Sequence, residues 1–379
     1  MKSLLHVVNI YFVVPYFLGN QLSYFAKKGV KVHVACSPSD ELNGYAQQQG
    51  FQYLEIPILR KISLLQDLKA IKGIYRYIKK NRIDTVTGHT PKGGLIAMVA
   101  AFLAGVKTRI YFRHGLVYET AKGPKRFLLI SMERLASFLA TRIVCVSPSV
   151  YQRSLQDRLS PAKKQLILAN GTCNGIDVRR FSKANIDQEE IKLLQEKYQI
   201  SEKHFVLGFV GRLVRDKGII ELVDAFKRIH LEYPFTRLLL VGMLEERDAL
   251  PLDTVQEIKS NPNIIFTGYV DNRSIEKYYA LMNLYVLPSY REGFPTSVLE
   301  ASAMELPVLT TRVTGCIDAI LPERTGLFVE HAATDLYEKV KYLLDYSEVG
   351  TEMGKQGRQM VVERFEEKLV WKELEKLYL

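Results

Sequence analysis

The stretch FVLGFVGRLVRDKGIIELVDAF, residues 205–226, decides the fold class. A run of β-branched and aromatic residues is followed by a polar turn bounded by Gly211 and Gly218, and then by apolar residues at helical spacing. This order predicts a strand that passes through a tight turn into a helix, the unit of parallel sheets covered by helices. Arg212 and Lys217 lie in the turn, at the carboxyl end of the strand, where such sheets bind ligands.

The same alternation of strands and helices extends along the whole chain. It predicts an α/β protein with two Rossmann-like, doubly wound domains that face each other across a ligand-binding cleft. We place the first domain at residues 1–180, a polar linker at 181–203 and the second domain at 204–379, with the last helices, about 360–379, as candidates for packing back on the first domain. Strands are expected at residues 4–10, 30–36, 51–56, 83–88, 109–112, 142–147, 205–211, 237–242, 263–268, 284–289, 307–311 and 326–330, with helices notably at 63–80, 92–104 and 125–140.

The bulk composition is that of a globular protein large enough for two cores. Of 379 residues, 47% are hydrophobic and 25% are charged. The longest apolar run, residues 95–106, is too short to span a bilayer, and the apolar N-terminus is interpreted as a buried strand rather than a signal peptide. The four cysteines show no C-x-x-C spacing, which predicts reduced thiols in a cytoplasmic protein.

Charge is distributed unevenly along the chain. Residues 1–185 contain 28 Lys and Arg against 9 Asp and Glu, whereas the remainder contains 24 against 32. This asymmetry predicts that the first half faces an anionic partner. The basic segment 59–82 has apolar residues at helical spacing, which is typical of a membrane interface but also of a solvated outer helix. A nucleic-acid partner is the less favoured alternative, because the basic half has no aromatic-interleaved or recognition-helix motif.

Several well-known phosphate and metal motifs are absent from the sequence. There is no G-x-G-x-x-G, G-x-x-x-x-G-K-[ST], H-E-x-x-H or D-x-D, so dinucleotide oxidoreductases and P-loop NTPases lose their strongest signals. Arg212 and Lys217 have the chemistry to hold a pyrophosphate without a metal, arginine by a fork of donors and lysine as a point charge. The alternative is two solvated loop cations.

A second candidate site lies in REGFPTSVLEASA, residues 291–303. Pro295 predicts the start of a helix, whose first backbone N–H groups form an anion site. Glu292 and Glu300 lie on either side of this start, and carboxylates accept hydrogen bonds from hydroxyls. Together they predict a ligand that carries both phosphates and hydroxyls. The alternative is that Glu292 only favours the helix dipole and that Glu300 is a solvated helix residue.

These motifs together resemble a known enzyme family. The second half looks like the second domain of retaining glycosyltransferases of family 4, which have the GT-B fold, and the first half resembles the subgroup that builds bacterial capsule, O-antigen and lipid-linked glycans. The most specific feature is the seven-residue separation of Glu292 and Glu300 in register with Arg212 and Lys217. The segments that carry the resemblance are GRLVRDKG (211–218), FTGYV (266–270), LPSYREGFPTSVLEASAMELPVLTTRVTG (287–315), RTGLFV (324–329), GHTPKGGL (88–95), YFRHG (111–115) and NGTCNGIDVRRF (170–181).

The resemblance implies roles for individual residues. Glu292 is expected to bind hydroxyls of the donor sugar and Glu300 the ribose diol, while Arg212 and Lys217 stabilise the leaving nucleotide. His114 matches a histidine near the donor sugar, and His89 and Lys92 are candidates for contacting an acceptor phosphate, although Thr90 and Pro91 also fit a plain helix start. The remaining donor-site residues implied by the family are Gly211, Tyr269 and Val270 (the latter two at the base) and, along the diphosphate, Gly293, Phe294, Pro295 and Thr296.

The resemblance also implies a reaction and its partners. The expected enzyme transfers a sugar from a UDP-linked donor to a glycan on a polyprenyl diphosphate, with retention and with neither metal nor cofactor, at the anionic inner face of the cytoplasmic membrane. A UDP-N-acetylhexosamine 2-epimerase shares the architecture and is the alternative enzyme. The chain departs from the family at its first loop, which has only Gly19 in place of a glycine pair, and at Pro295, which replaces a glycine.

Overall fold

The chain folds into two compact units. The structure, a computed structural model, describes residues 2–59, 63–246 and 248–379. The first unit combines Met1–Gly175 with Glu367–Leu379, and the second is Ile176–Glu366. Each unit is a parallel sheet with helices packed on it, which confirms the predicted doubly wound α/β architecture of the units.

The first unit contains a seven-stranded sheet in the order β3-β2-β1-β4-β5-β6-β7, in which each neighbouring pair is parallel. Its strands are β1 (Ser3–Val7), β2 (Lys31–Cys36), β3 (Gln52–Glu55), β4 (Thr85–Gly88), β5 (Thr108–Arg113), β6 (Arg142–Cys145) and β7 (Gln165–Leu166). Its helices before residue 176 are α1 (Val14–Phe17), α2 (Gln21–Lys27), α3 (Asp40–Gln49), α4 (Leu64–Asn81), α5 (Pro91–Leu103), α6 (Gly123–Leu139) and α7 (Pro148–Gln156).

The second unit contains a six-stranded parallel sheet in the order β10-β9-β8-β11-β12-β13. Its strands are β8 (Phe205–Val210), β9 (Thr236–Val241), β10 (Ile264–Gly268), β11 (Leu284–Leu287), β12 (Val308–Thr311) and β13 (Gly326–Val329). Its helices are α8 (Gln188–Lys197), α9 (Ile219–Glu232), α10 (Leu252–Ser260), α11 (Ile275–Tyr279), α12 (Thr296–Ala303), α13 (Cys316–Ala319), α14 (Ala333–Asp345) and α15 (Ser347–Arg364).

The cores are built around central strands that consist largely of apolar residues. Every residue of β1, β11 and β12 is buried, as expected for strands covered on both faces by helices. Helix α9 buries Ile219, Leu222 and Phe226 at helical spacing against its sheet. The twelve predicted strands and the three notable helices are confirmed, and their observed ends differ from the predicted ones by at most three residues. The two-residue strand β7 was not predicted, because so short a segment has no periodicity.

The unit boundaries differ from the expected domain boundaries. Residues 181–203, expected as a linker, belong to the second unit, where the Phe181 ring packs against Tyr279 and Lys277 pairs with Glu190 of α8 at 2.7 Å. The last helix, α16 (Glu367–Tyr378), belongs to the first unit. Its Trp371 indole N–H donates to the side-chain oxygen of Asn174 at 3.0 Å, so α16 completes the first core.

No helix in the described part of the chain combines the length and hydropathy that crossing a bilayer requires. Most of the basic segment 59–82 forms α4, which buries Ala70, Ile74 and Ile78 and exposes Leu64 and Leu65 in its first turn. Residues 60–62 of this segment lie outside the described residues.

Candidate active site

The turn after β8 and the loop after β11 are held together at the carboxyl edge of the second sheet. Strands β8 and β11 are neighbours, so the segments that follow them emerge side by side. Gly218 has a φ of +69°, and a Cβ atom added there would lie 2.1 Å from the Pro288 carbonyl oxygen, so only glycine fits. The Tyr290 N–H donates to the Asp216 carbonyl at 2.9 Å, and Arg291 forms an ion pair with the Asp216 carboxylate at 2.6 Å.

This loop contact brings Lys217 and Glu292 together. The Lys217 ammonium forms an ion pair with Oε1 of Glu292, and the Ser289 hydroxyl donates to the same oxygen at 2.8 Å. The two charged side chains are only 18% and 13% exposed, so their attraction is screened less than that of a surface pair. Two of the residues predicted to act on the donor are therefore in direct contact.

Ser289 and its neighbours support this pair and were missed in the sequence. The Ser289 carbonyl accepts a hydrogen bond from the Thr311 hydroxyl and lies 3.0 Å from Nε2 of His331. The Tyr290 ring stacks on His331 with a centroid distance of 4.0 Å and an angle of 12°. The available signal was the position of Ser289 between a strand end and Glu292. His331, forty-two residues away from Ser289, carried none.

Helix α12 begins where the sequence predicted. It starts at Thr296 with Pro295 as its N-cap residue, and no side chain caps its first turn. Gly315, in the loop after β12, has a φ of +82°, and a Cβ atom there would lie 2.3 Å from the Gly293 carbonyl oxygen. Gly293, Phe294 and Pro295 are buried, so the backbone leading into α12 is held between neighbouring loops.

Glu300 lies in a buried position on α12, so its interpretation as a solvated helix residue is wrong. Its side chain accepts a hydrogen bond from the Tyr279 hydroxyl at 2.8 Å, and the residue is 8% exposed. Burial raises the pKa of the Glu300 carboxyl, while the Tyr279 hydrogen bond and the charge of Arg180 act to lower that pKa. A carboxylate has acceptor sites for several donors, so Glu300 can accept further hydrogen bonds from hydroxyl groups.

Arg212 and the predicted base-contacting residues lie along the same sheet edge. Arg212 pairs with Glu245, in the loop after β9, at 2.9 Å, and its side chain is 39% exposed. Of the two predicted cations, Lys217 therefore contacts Glu292 directly, whereas Arg212 pairs with Glu245 instead. Tyr269 and Val270 follow β10, on the far side of β9 from β8, and the Tyr269 ring is largely exposed.

In the first unit, His114 contacts His89, whereas Lys92 pairs with an acidic residue of α4. Nδ1 of His89 lies 3.0 Å from Nε2 of His114, at the ends of the adjacent strands β4 and β5. Lys92 is buried and forms an ion pair with Asp67 of α4 at 2.7 Å. The Thr90 hydroxyl oxygen accepts from the Gly93 N–H at 3.2 Å, which confirms that this segment is an N-capped helix start.

Both halves of the chain match known glycosyltransferases. A family model described as glycosyl transferases group 1 matches residues 190–360, and one described as glycosyl transferase 4-like matches residues 4–147. The Staphylococcus aureus capsular polysaccharide biosynthesis glycosyltransferase CapM is 35% identical over 379 residues, covering 100% of this chain and 97% of that protein. The Escherichia coli UDP-Gal:alpha-D-GlcNAc-diphosphoundecaprenol alpha-1,3-galactosyltransferase is 24% identical over 337 residues, covering 88% and 85%.

Solved structures share the fold at low sequence identity. Anabaena Alr3699/HepE in complex with UDP-glucose superposes with a TM-score of 0.80 at 16% identity, covering 100% of this chain and 99% of that one. WaaG, a glycosyltransferase involved in lipopolysaccharide biosynthesis, superposes with a TM-score of 0.75 at 17% identity, covering 100% and 99%. The two sheets described above are therefore those of GT-B structures.

Proposed function

The chain belongs to the group 1 glycosyl transferases, and on this premise we propose that it transfers a sugar, with retention of configuration and without a metal ion, from a UDP-linked donor to a lipid-linked glycan. The observation that carries the proposal is the contact between Lys217 and Glu292 beside the start of α12. It places a cation, a carboxylate and helix N-terminal amides at one sheet edge, which are the groups that a nucleotide sugar requires.

The diphosphate is the part of the donor that the loops fit best. The backbone from Gly293 to Thr296 leads into α12, where N–H groups and the helix dipole favour an anion. Lys217 is the adjacent cation, and Arg212 reaches the diphosphate by exchanging its Glu245 partner for phosphate oxygens. Both cations then stabilise the negative charge that develops on the leaving nucleotide as the glycosidic bond breaks.

The hydroxyl groups of the donor are assigned to the two glutamates. Glu292 accepts from hydroxyls of the transferred sugar, and Glu300, held by Tyr279, accepts from the ribose diol. Tyr269 and Val270 contact the base at the open edge after β10. Uridine is favoured because a relative is named for a UDP-galactose substrate and structures of the same fold contain UDP.

Retention follows most simply from a same-face transfer. In this scheme the acceptor hydroxyl attacks from the side of the departing diphosphate, whose oxygen takes the hydroxyl proton as the glycosidic bond breaks. Lys217 remains beside that oxygen and favours its charge. No nucleophilic residue is required, and His114 serves as a neutral contact to the sugar.

The acceptor is proposed to be a glycan on a polyprenyl diphosphate in capsule or related surface polysaccharide synthesis. Relatives named for diphosphoundecaprenol-linked acceptors, from Escherichia coli and Campylobacter jejuni, support this class, as does the capsular name of the relative from Staphylococcus aureus. The 2-epimerase alternative is not favoured, because these relatives, which match most of the chain, are all named glycosyltransferases. It predicts turnover of UDP-N-acetylhexosamine without an acceptor.

A lipid-linked acceptor requires the enzyme to work at a membrane surface, which we place at the inner face of the cytoplasmic membrane. The surface that best supports membrane binding is the exposed face of α6, rather than the basic helix α4 considered from the sequence. Phe127 and Phe138, with Leu128 and Leu135 between them, are exposed at helical spacing. The cations that flank this stripe are exposed, which complements anionic headgroups: Lys122, Lys125 and Arg134.

The proposal is tested by removing each member of the central pair. Glu292→Ala and Lys217→Ala are each expected to reduce sugar transfer by about 10²–10³-fold or more, because each removes a group that acts on the donor. Transfer is measured with radiolabelled UDP-sugars and a polyprenyl-diphosphate-linked acceptor, with and without a chelator. The matched control is Glu232→Ala with Lys341→Ala, a Glu–Lys pair elsewhere in the same unit that is more exposed than Lys217 and Glu292.

Activity, folding and ligand-binding measurements together test the proposed site and the proposed donor. Full activity in both single variants, or loss of wild-type activity on chelation, overturns the proposed site. Circular dichroism shows whether each variant is folded. A thermal-shift series with UDP, GDP and UDP-sugars identifies the donor, since a ligand that binds only the folded protein raises the unfolding temperature.

A further inference from the structure

Three histidines of the first unit form a row across the neighbouring strands β1, β4 and β5. His6 lies in β1, His89 follows β4 and His114 follows β5, and these three strands are neighbours in the order β1-β4-β5. Nδ1 of His6 lies 3.3 Å from Nε2 of His89, and Nδ1 of His89 lies 3.0 Å from Nε2 of His114. Strand order therefore converts three distant sequence positions into one continuous chain of imidazoles.

Thr87 links the inner end of this row. Its hydroxyl oxygen lies 2.7 Å from Nδ1 of His6 and 3.1 Å from Nε2 of His89. Thr87, His6 and His89 are each buried, with exposed fractions of 0%, 1% and 1%. His114 is the member with the greatest access to solvent, so the row runs from the core to the surface.

Burial of the three rings favours the neutral form of each imidazole. Burial lowers the pKa of His6 and of His114 to about 3, and burial together with the two neighbouring histidines lowers the pKa of His89 well below its ordinary value. A neutral imidazole has one N–H donor and one nitrogen acceptor. Each contact in the row must pair a donor with an acceptor, so the tautomer of one ring dictates that of the next.

The contacts allow only two consistent arrangements. In the first, Nδ1–H of His6 donates to Thr87, the Thr87 hydroxyl donates to Nε2 of His89, and Nδ1–H of His89 donates to Nε2 of His114. In the second, every donation runs in the opposite direction. All three rings are Nδ1–H in the first arrangement and Nε2–H in the second. A mixed pattern would set two N–H groups or two lone pairs against each other in at least one contact.

The surroundings hold the rings in place. Phe112 stacks on His89 with a centroid distance of 4.5 Å, and Phe17 stacks on His114 at 3.8 Å with an angle of 12°. Thr90, next to His89, has a φ of +64° and a ψ of 153°, a strained combination for a β-branched residue. Such strain is found where the surrounding structure imposes a geometry, as at functional sites.

We propose that Thr87, His6 and His89 are positioning residues that impose a shared tautomer on His114, so that its Nδ1 atom meets a hydroxyl of the bound sugar with a defined donor or acceptor character. The sugar as ligand rests on the proposed function, whereas the shared tautomer does not. A ring that already has the correct tautomer and orientation makes its hydrogen bond without reorganising.

The tautomers are measured directly by imidazole ¹⁵N NMR of the full-length protein at pH 7. The chain contains seven histidines, and single substitutions assign their signals. We expect the same tautomer for His6, His89 and His114 in the protein without ligand. Thr87→Val removes the hydroxyl but keeps the shape, and it leaves only the longer His6–His89 contact of 3.3 Å to couple these two rings. We therefore expect Thr87→Val to change the tautomer populations of His114, and Thr87→Ser to restore those of the wild-type protein.

His33→Gln is the matched control. His33 is also buried in this sheet, but its ring contacts Ser3 at 3.2 Å and Tyr77 at 2.9 Å rather than the row. This variant should leave the His114 signals unchanged. Different tautomers within the row of the wild-type protein, or unchanged His114 signals in Thr87→Val, would overturn the inference.

Activity provides a second readout that separates positioning from folding. In Thr87→Val we expect kcat to fall on the order of tenfold, the worth of one hydrogen bond, with the donor KM nearly unchanged and with recovery in Thr87→Ser. Unchanged kcat in Thr87→Val would refute the catalytic part. The two proposals can fail separately. If the wild-type protein transfers no UDP-sugar but His6, His89 and His114 share one tautomer, the proposed function is wrong and the inferred coupling of tautomers within the row is still supported.

Discussion

Gly218 is the residue on which the contact between the turn after β8 and the loop after β11 depends, the two segments of the candidate donor site. It has a positive φ, and its missing side chain leaves room for the Pro288 carbonyl. That approach brings Lys217, in the turn after β8, to Glu292, in the loop after β11, although β9 and β10 lie between these two strands in the sequence. A glycine in a sequence is compatible with many turns, so the sequence alone did not indicate this particular contact.

Replacing Gly218 with alanine is expected to lower both stability and donor binding. The backbone strain and the clash with Pro288 should together reduce the free energy of unfolding by about 2–4 kcal/mol, more than strain alone, because the carbonyl must move. Chemical denaturation measures the loss. Gly268→Ala is the control, since Gly268 has the same φ of +69° in the same unit with nothing within 4 Å of the added Cβ. Equal losses in the two variants would show that the contact with Pro288 is unimportant.

Sequence motifs identified some of the site residues as candidates but not their buried neighbours. Glu292 and Lys217 were identified by their spacing from glycines and strand ends, and their contact is now observed. His6 and Thr87 were not identified, because neither belongs to a motif. They lie eighty-one residues apart in sequence and meet only because β1 and β4 pair.

At the scale of elements, the sequence predicted helices more reliably than the faces they expose. Helix α6 was expected at residues 125–140 and is found at Gly123–Leu139. Its outer stripe was not anticipated, because apolar residues occupy most of the helix and the buried face includes Glu133 and Ser137. Only the packing of α6 against its sheet shows that Phe127 and Phe138 are 72% and 75% exposed.

We predict that the stripe on α6 carries binding to anionic membranes. In vesicle flotation with increasing phosphatidylglycerol, Phe127→Ser with Phe138→Ser should lower the partition coefficient by roughly tenfold or more, since burying one large apolar side chain contributes about 1.5–3 kcal/mol. The matched control is Leu231→Ser with Leu252→Ser, two exposed leucines of the second unit. Equal binding of the two double variants, or binding indifferent to lipid charge, would contradict this role.

At the scale of the whole molecule, buried neutral histidines make the protein sensitive to acid. His6 and His114 have a pKa of about 3 in the folded protein and an ordinary pKa near 6.5 when unfolded. Above pH 6.5 both states are neutral and there is no effect. Between pH 6.5 and 3 the unfolded state binds protons that the folded state does not, so the free energy of unfolding falls as the pH is lowered.

The expected loss is large enough to measure. At pH 5 each of these two histidines should reduce the free energy of unfolding by roughly 2 kcal/mol relative to pH 7. Denaturant unfolding at pH 7, 6 and 5 measures the decline, and His6→Gln should make it shallower. An unfolding midpoint of the first unit that stays constant from pH 7 to pH 5 would show that these rings are not held neutral.

The sequence by itself determined the strand and helix order, the two sheets and the family, because periodicity and turn chemistry are encoded within short windows. It also singled out Lys217, Glu292 and Glu300 as candidate site residues, because they lie at predictable strand ends and a helix start. Tertiary structure alone decided that Arg212 pairs with Glu245, that Lys92 pairs with Asp67, and that three histidines form a row. Such contacts depend on which strands are neighbours and how closely their loops approach, and that information is distributed over the whole core rather than written at any one position.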